Sequence, residues 1–261
     1  MIPVVIRGSL APTGGGAMPQ NVPVFQFSDD ALALRQFVYE HWCSHGRGPT
    51  LLEVKEATGL GRRRAQQAYK ELQLGTIVVV DQDSQNCNLL KCQPFSSFPS
   101  PVSVYVDDAF HSFAGCAMES IALSKMPPFA GKEVRFESFC ACCQEPVTVT
   151  SKELAVQSVT PEGTLIHVGL SPYDWNNVDI LRMCDSMNFV VDADHALAWE
   201  GQTCRRGVLF TLDQATQFVR STAEHRMHDY HWGVVPVIPE IIIDFARALG
   251  VDVSAWEAGR A

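Results

Sequence analysis

The chain has no excess of positive charge: 20 Lys and Arg stand against 29 Asp and Glu, a formal net charge of −9. Such a balance argues against general binding to nucleic acid or an anionic membrane surface, which needs clustered cations. No apolar run approaches the ~18 residues that a membrane-spanning helix requires. Internal repeats are absent, which excludes a solenoid or propeller. Cysteine is too sparse for a disulfide scaffold: nine in 261 residues is about 3%, against the ~8–10% of such chains. The number is odd, and the first 28 residues hold one Arg and no acid, without the basic head and apolar core of a secretory signal. The expectation is therefore reduced thiols in a cytoplasm. What the chain does have is ordinary globular composition, 46% apolar and 19% charged, and enough length for one or two domains.

Residues 1–28 are rich in Pro, Gly and Ala without periodicity and are expected to form a mobile arm. From Asp29, the residues Ala31, Leu32, Leu34, Phe37, Val38 and Trp42 recur at helical spacing. A breaker at 46–49 follows, then a capping-box pattern at Thr50 and Glu53, and a third helix over 62–74. Residues 76–80 and 88–90 read as a hairpin. Three helices and a hairpin predict a winged-helix-like domain over 29–94, with a Pro/Ser linker at 95–101. Residues 102–261 predict an α+β domain, a mixed sheet with packed helices. Its expected strands lie at 102–106, 133–139, 147–151, 164–168 and 204–210. Helices are expected over 107–125, from 211 towards His225, and over 239–249.

Arg62, Arg63, Arg64 and Lys70 fall on the third helix, where a recognition helix would carry phosphate-neutralising cations. The plainer reading is a solvated face of a small packing domain, and the charge balance argues against DNA as a partner.

Several groups of residues bear on chemistry. Cys116 and Glu119, three apart on a helix, would share one face, so that a carboxylate stands beside a thiol and can exchange a proton with it. The bland alternative is a buried apolar cysteine beside a solvated acid. Cys184 lies in an apolar stretch far downstream and says little alone. Cys140, Cys142 and Cys143 sit between two strands, where Cys-x-x-Cys spacing can bind zinc, but a structural zinc site needs four ligands. Cys87 and Cys92 are the other close pair and offer only a poor composite site. His225, His228 and His231, with Tyr230 and Trp232 among them, drift round a helix without a matching acid or thiol. Those histidines and His195 read as structural.

Taken together, Phe113, Cys116, Ala117, Met118 and Glu119, then Cys184 with Phe189 five residues later, and Cys140 before a Pro-Val-Thr-Val strand resemble the bacterial organomercurial (alkylmercury) lyases. The order of parts is also similar, and the likeness runs from about residue 30 to 230. In that family two cysteines and an aspartate do the work. The resemblance places these roles on Cys116, Cys184 and Glu119, which are also the residues that would hold the metal, and a structural cysteine on Cys140. Cys142 and Cys143 are additions. The chain departs from the pattern in having Glu119 for the aspartate and Gly115 where an aromatic residue is common.

The resemblance implies carbon–mercury protonolysis with no organic cofactor: an organomercurial substrate, a hydrocarbon product, and Hg(II) held on two sulfurs until exogenous thiols or a mercuric reductase remove it. The chemistry is coherent, because thiolate is the softest common protein ligand for a soft cation. Two donating sulfurs also make the bound carbon basic enough to take a proton. Glutamate, ordinarily with a pKa near 4.3, needs an apolar setting to hold that proton, and Phe110, Phe113 and Met118 are candidates to supply it. Two other readings stay open, a soft-metal-responsive winged-helix regulator and a lyase-like fold that binds a soft metal such as copper.

Overall fold

Ser28 caps helix α1 (Asp29–His45), its hydroxyl accepting the Ala31 N–H, and Gly46 ends the helix in the left-handed region at φ 69°. A Cβ on Gly46 would lie 1.9 Å from the His111 carbonyl oxygen, so glycine is required there for space as well as for conformation. The computed structural model describes residues 26–81, 83, 85–175, 180–221 and 238–258. The expected arm up to residue 25 and the histidine group His225, His228 and His231, with Tyr230 and Trp232, lie outside the described residues.

Ala31, Leu34, Val38 and Trp42 are fully buried, as the period predicts. Helix α2 (Leu51–Thr58) carries the capping box: the Glu53 carboxylate accepts the Thr50 N–H at 2.7 Å and Thr50 Oγ1 accepts the Glu53 N–H at 3.3 Å. Helix α3 (Arg62–Leu74) follows, then an antiparallel hairpin of β1 (Val78–Val80) and β2 (Leu89–Cys92). These three helices and the hairpin stand in the expected order.

The hairpin is not confined to an N-terminal unit. Residues 95–101, a linker by composition, open with strand β3 (Phe95–Ser96), which bridges β2 to β5 (Ala109–Ala114). Strands β4 (Ser103–Val106), β6 (Val134–Phe139), β7 (Pro146–Lys152) and β8 (Ala155–Thr160) complete one eight-stranded sheet in the order β1-β2-β3-β5-β4-β6-β7-β8. Every recorded pairing in it is antiparallel. Trp42 stacks on Phe95 (ring centroids 5.5 Å apart, 10° between planes), and His111 Nε2 donates to the Cys43 carbonyl at 2.9 Å. Helix α1 is thereby fastened to the sheet that leads into the site.

Residues 107–125 are not one helix. Asp107 and Asp108 take positive φ, 51° and 62°, and turn β4 into β5 as a two-residue hairpin, a conformation that Asp tolerates. Only Ala117–Leu123 is helical (α4). A three-stranded sheet, β10-β9-β11, packs alongside. It comprises β9 (Leu165–Val168), β10 (Met187–Val190) and β11 (Val208–Thr211). The apolar stretch around Cys184 divides into α6 (Ile180–Asp185) and β10, with the four-residue helix α5 (Pro172–Trp175) before them. Helix α7 (Ala193–Thr203), which no apolar period marks, is capped by Asp192. His195 Nδ1 pairs with that cap at 2.8 Å, a structural role. Helices α8 (Leu212–Ser221), α9 (Pro239–Ala248) and α10 (Ser254–Ala258) follow. All nine cysteines are free thiols.

Candidate active site

Strand β5 ends at Ala114, and after Gly115 the chain reaches Cys116, the N-cap of α4. Its backbone is extended (φ −165°, ψ 175°), and its Sγ accepts the Glu119 N–H at 3.4 Å in place of the usual capping oxygen. Cysteine is not among the strong N-cap residues, so its presence there is not explained by helix formation. Glu119 stands at the third helical position, near the cysteine because of the cap and not because both lie along one helix face.

The second sulfur arrives from another part of the chain. Cys184 lies near the end of α6, and its Sγ donates to Glu119 Oε2 at 3.4 Å. Cys116 Sγ, a Glu119 carboxylate oxygen and Cys184 Sγ all lie within 4.8 Å of one another. With metal–sulfur bonds near the ~2.3 Å of zinc thiolates, a linear two-coordinate ion needs sulfurs roughly 4.6 Å apart. Both thiols are buried, Cys116 3% and Cys184 2% exposed. Among the described residues this is the one group of three or more His, Cys, Asp or Glu side chains placed to hold a metal. The composite arrangement of Cys87 and Cys92 with the 140–143 cysteines does not form there.

Burial pushes the Cys184 thiol well above the ordinary range, and the neighbouring Cys116 thiol and Glu119 charge push the same way. Lys91 opposes them. This lysine, 1% exposed, reaches the site from β2. Burial pulls its ammonium down, but the fields of Cys184, Cys116, Glu119 and Asp185 outweigh that and hold it above its usual value. The spacing arguments miss Lys91. Its signal is a lone charge inside the strand Leu89-Leu90-Lys91-Cys92, where a solvated residue has no place.

A cavity of about 150 Å³ opens onto both sulfurs, walled by Val102, Met187 and Phe189 among others. Met187 Sδ is 3.8 Å from Cys116 Sγ. Phe110, Phe113 and Met118 do not line it. Phe110 is 52% exposed and packs edge-on against Phe113 and Tyr105.

Two buried thiols that line a small cavity and a carboxylate within 4.8 Å of both thus come together on an α+β fold. Residues 95–224 match the family model for MerB, alkylmercury lyase, and through this segment the chain belongs to the alkylmercury lyase family. A solved structure, described as the mercury-bound form of MerB2, shares the fold with a TM-score of 0.59 at 21% identity. The match covers 76% of this chain and 92% of that one. No curated protein matches the chain.

Proposed function

We propose that the chain cleaves carbon–mercury bonds by protonolysis, with Cys116, Cys184 and Glu119 as the residues that act. The observation that carries this reading is the Cys184 thiol donating to Glu119 Oε2 at 3.4 Å with the Cys116 sulfur inside the same 4.8 Å group. Cys116 displaces the ligand X from R–Hg–X, X leaving with the Cys116 proton as H–X, and holds R–Hg. The Cys184 proton passes to Glu119 along the existing hydrogen bond, and the freed sulfur adds to mercury. Glu119 then gives the proton to carbon, R–H leaves, and Hg(II) remains on two sulfurs. No organic cofactor enters this sequence, and Hg(II) is cargo.

The cavity is of the order that admits a benzene ring, which favours small alkyl and single-ring aryl mercurials. The helices and hairpin before the lyase segment are read as a winged-helix-like unit that supplies Lys91 and the Trp42–Phe95 contact. Arg64 of α3 is paired with Asp30, which favours packing over DNA binding. Release of Hg(II) to small thiols or to a mercuric reductase, as detoxification in a cytoplasm, completes the reading. Among the described residues no helix is long and apolar enough to cross a membrane.

The test is incubation with methylmercury and excess thiol, followed by headspace assay. Methane equal to the methylmercury consumed is expected. Tight methylmercury binding without methane would overturn the reading.

A further inference from the structure

Of the seven cysteines that take no part in that chemistry, three lie in the turn between β6 and β7, and two of these are built as a pair. Cys140 is fully buried, and Cys143 is exposed. The Cys140 N–H donates to the Glu145 carbonyl at 2.8 Å and the Gln144 N–H to the Cys140 carbonyl at 2.9 Å. Gln144 takes φ 64° to close the turn. Within it the Cys143 thiol meets both the Glu145 N–H and the Cys140 thiol. A turn that gathers two sulfurs and aims a backbone N–H at one of them is suited to holding thiolates on a metal. Among the described residues no third His, Cys, Asp or Glu ligand joins the pair. Two sulfurs do not satisfy a tetrahedral zinc ion, but they suffice for a soft, two-coordinate one.

The pair also stands beside the reaction. Ser138, Phe139 and Ala141, on either side of Cys140, line the same cavity as Cys116 and Cys184. The Ala141 N–H donates to the Phe189 carbonyl at 2.9 Å, which ties the turn to the cavity wall. Cys142 is engaged elsewhere, its sulfur accepting from Gln202 Nε2 at 3.6 Å.

We propose that Cys140 and Cys143 form a second Hg(II) site, which takes the inorganic product from Cys116 and Cys184 and presents it to solvent thiols. The proposal rests on the lyase reading for the source of the Hg(II). Transfer is ligand exchange without change of oxidation state. A bond forms from the Cys143 sulfur to mercury, the Cys184–mercury bond breaks, and the Cys143 proton passes to the departing Cys184 sulfur. A second exchange replaces Cys116 by Cys140 in the same way. Both catalytic thiols are then protonated and free, and the exposed Cys143 is open to an outside thiol.

The experiment uses the full chain, mercuric chloride as the probe, and excess glutathione to strip singly held metal. The C116S/C184S variant is expected to retain one Hg(II) per chain. C116S/C184S/C143S should retain none, whereas adding C142S or C204S instead should leave the retained ion in place. Cys143 is the position to change because it is exposed, so its loss does not open the core. Loss of all Hg(II) from C116S/C184S, or equal retention after C143S is added, overturns the second site. In the otherwise unsubstituted chain preloaded with one Hg(II), C143S should slow transfer to glutathione at least tenfold, and an unchanged rate overturns the relay. Methane from the unsubstituted chain is scored separately. Methane without a second Hg(II) site removes the relay alone, and a second site without methane removes the lyase reading and with it the source of the cargo.

Discussion

A Cβ placed on Gly115 would lie 2.3 Å from Oε2 of Glu119, so the carboxylate occupies the volume that any side chain at position 115 would fill. Gly115 and Glu119 are therefore coupled through one shared volume. The longer acid bends back into space that the missing side chain leaves, and from there it meets Cys184.

Gly115→Ala should separate activity from folding. The clashing atom is the end of a rotatable side chain, so Glu119 swings aside and the backbone does not yield. Stability should fall by less than ~1 kcal/mol, a Tm change below about 4 °C. Hydrocarbon release should fall at least about tenfold as the carboxyl leaves its place. Adding Glu119→Asp, which shortens the acid, should restore most of that loss. Kinetics and thermal melts of these two variants beside the unsubstituted chain check this, and a fully active Gly115→Ala chain would show that the volume is not shared.

Cys116→Ser and Cys184→Ser should each abolish hydrocarbon release, because a hydroxyl is a hard ligand that does not replace thiolate on mercury. Glu119→Gln keeps the shape but cannot carry a proton. It should still bind one Hg(II) at the catalytic pair while turnover drops by about 10²–10⁴. Headspace assay with metal titration reads both, and full turnover in any of the three removes that residue from the mechanism.

Lys91→Met should slow the chemical step. Methionine fits the buried stem but removes the cation that faces two thiols and a carboxylate. Single-turnover hydrocarbon release is expected to fall at least about tenfold, on the scale of one lost charge-assisted interaction of ~1.5–3 kcal/mol. Lys91→Arg, which keeps the charge, should recover part of it. Equal loss in both variants would assign Lys91 to packing.

Alkaline pH should destabilise the fold through thiols that take no part in catalysis. Burial pushes Cys43 up to about 12, helped by Glu40. Burial likewise pushes Cys92 up to about 12, in spite of Arg35. Above the unfolded thiol pKa near 8.5, the unfolded chain loses these protons while the folded chain keeps them. Their contribution is whole below about pH 8.5 and drains away as pH rises towards 12, at up to about 1.4 kcal/mol per pH unit for each thiol. Urea melts from pH 8 to 10.5 should show the decline, and Cys43→Ala should make it shallower. An unchanged slope in that variant would exclude Cys43 as a source.

Much of the first hundred residues was legible. Gly46 and Thr50 with Glu53 act through hydrogen bonds a few residues long, and such signals are written locally. The helix expected over 107–125 does not form because Asp107 and Asp108 turn the chain at positive φ and Ala109–Ala114 pairs as a strand. The Pro/Ser stretch at 95–101 opens with a strand whose Phe95 stacks on Trp42, more than fifty residues earlier.

By itself the sequence determined the α+β class, the N-terminal helices, and the residue types of a thiolate site, because caps, periods and short motifs act over a few residues. Only the tertiary structure decided that Cys184 meets Glu119, that Lys91 lies against them, and that Gly115 makes room for the longer acid. Each of these depends on segments brought together by burying apolar surface, a force without direction whose pairings no local spacing records.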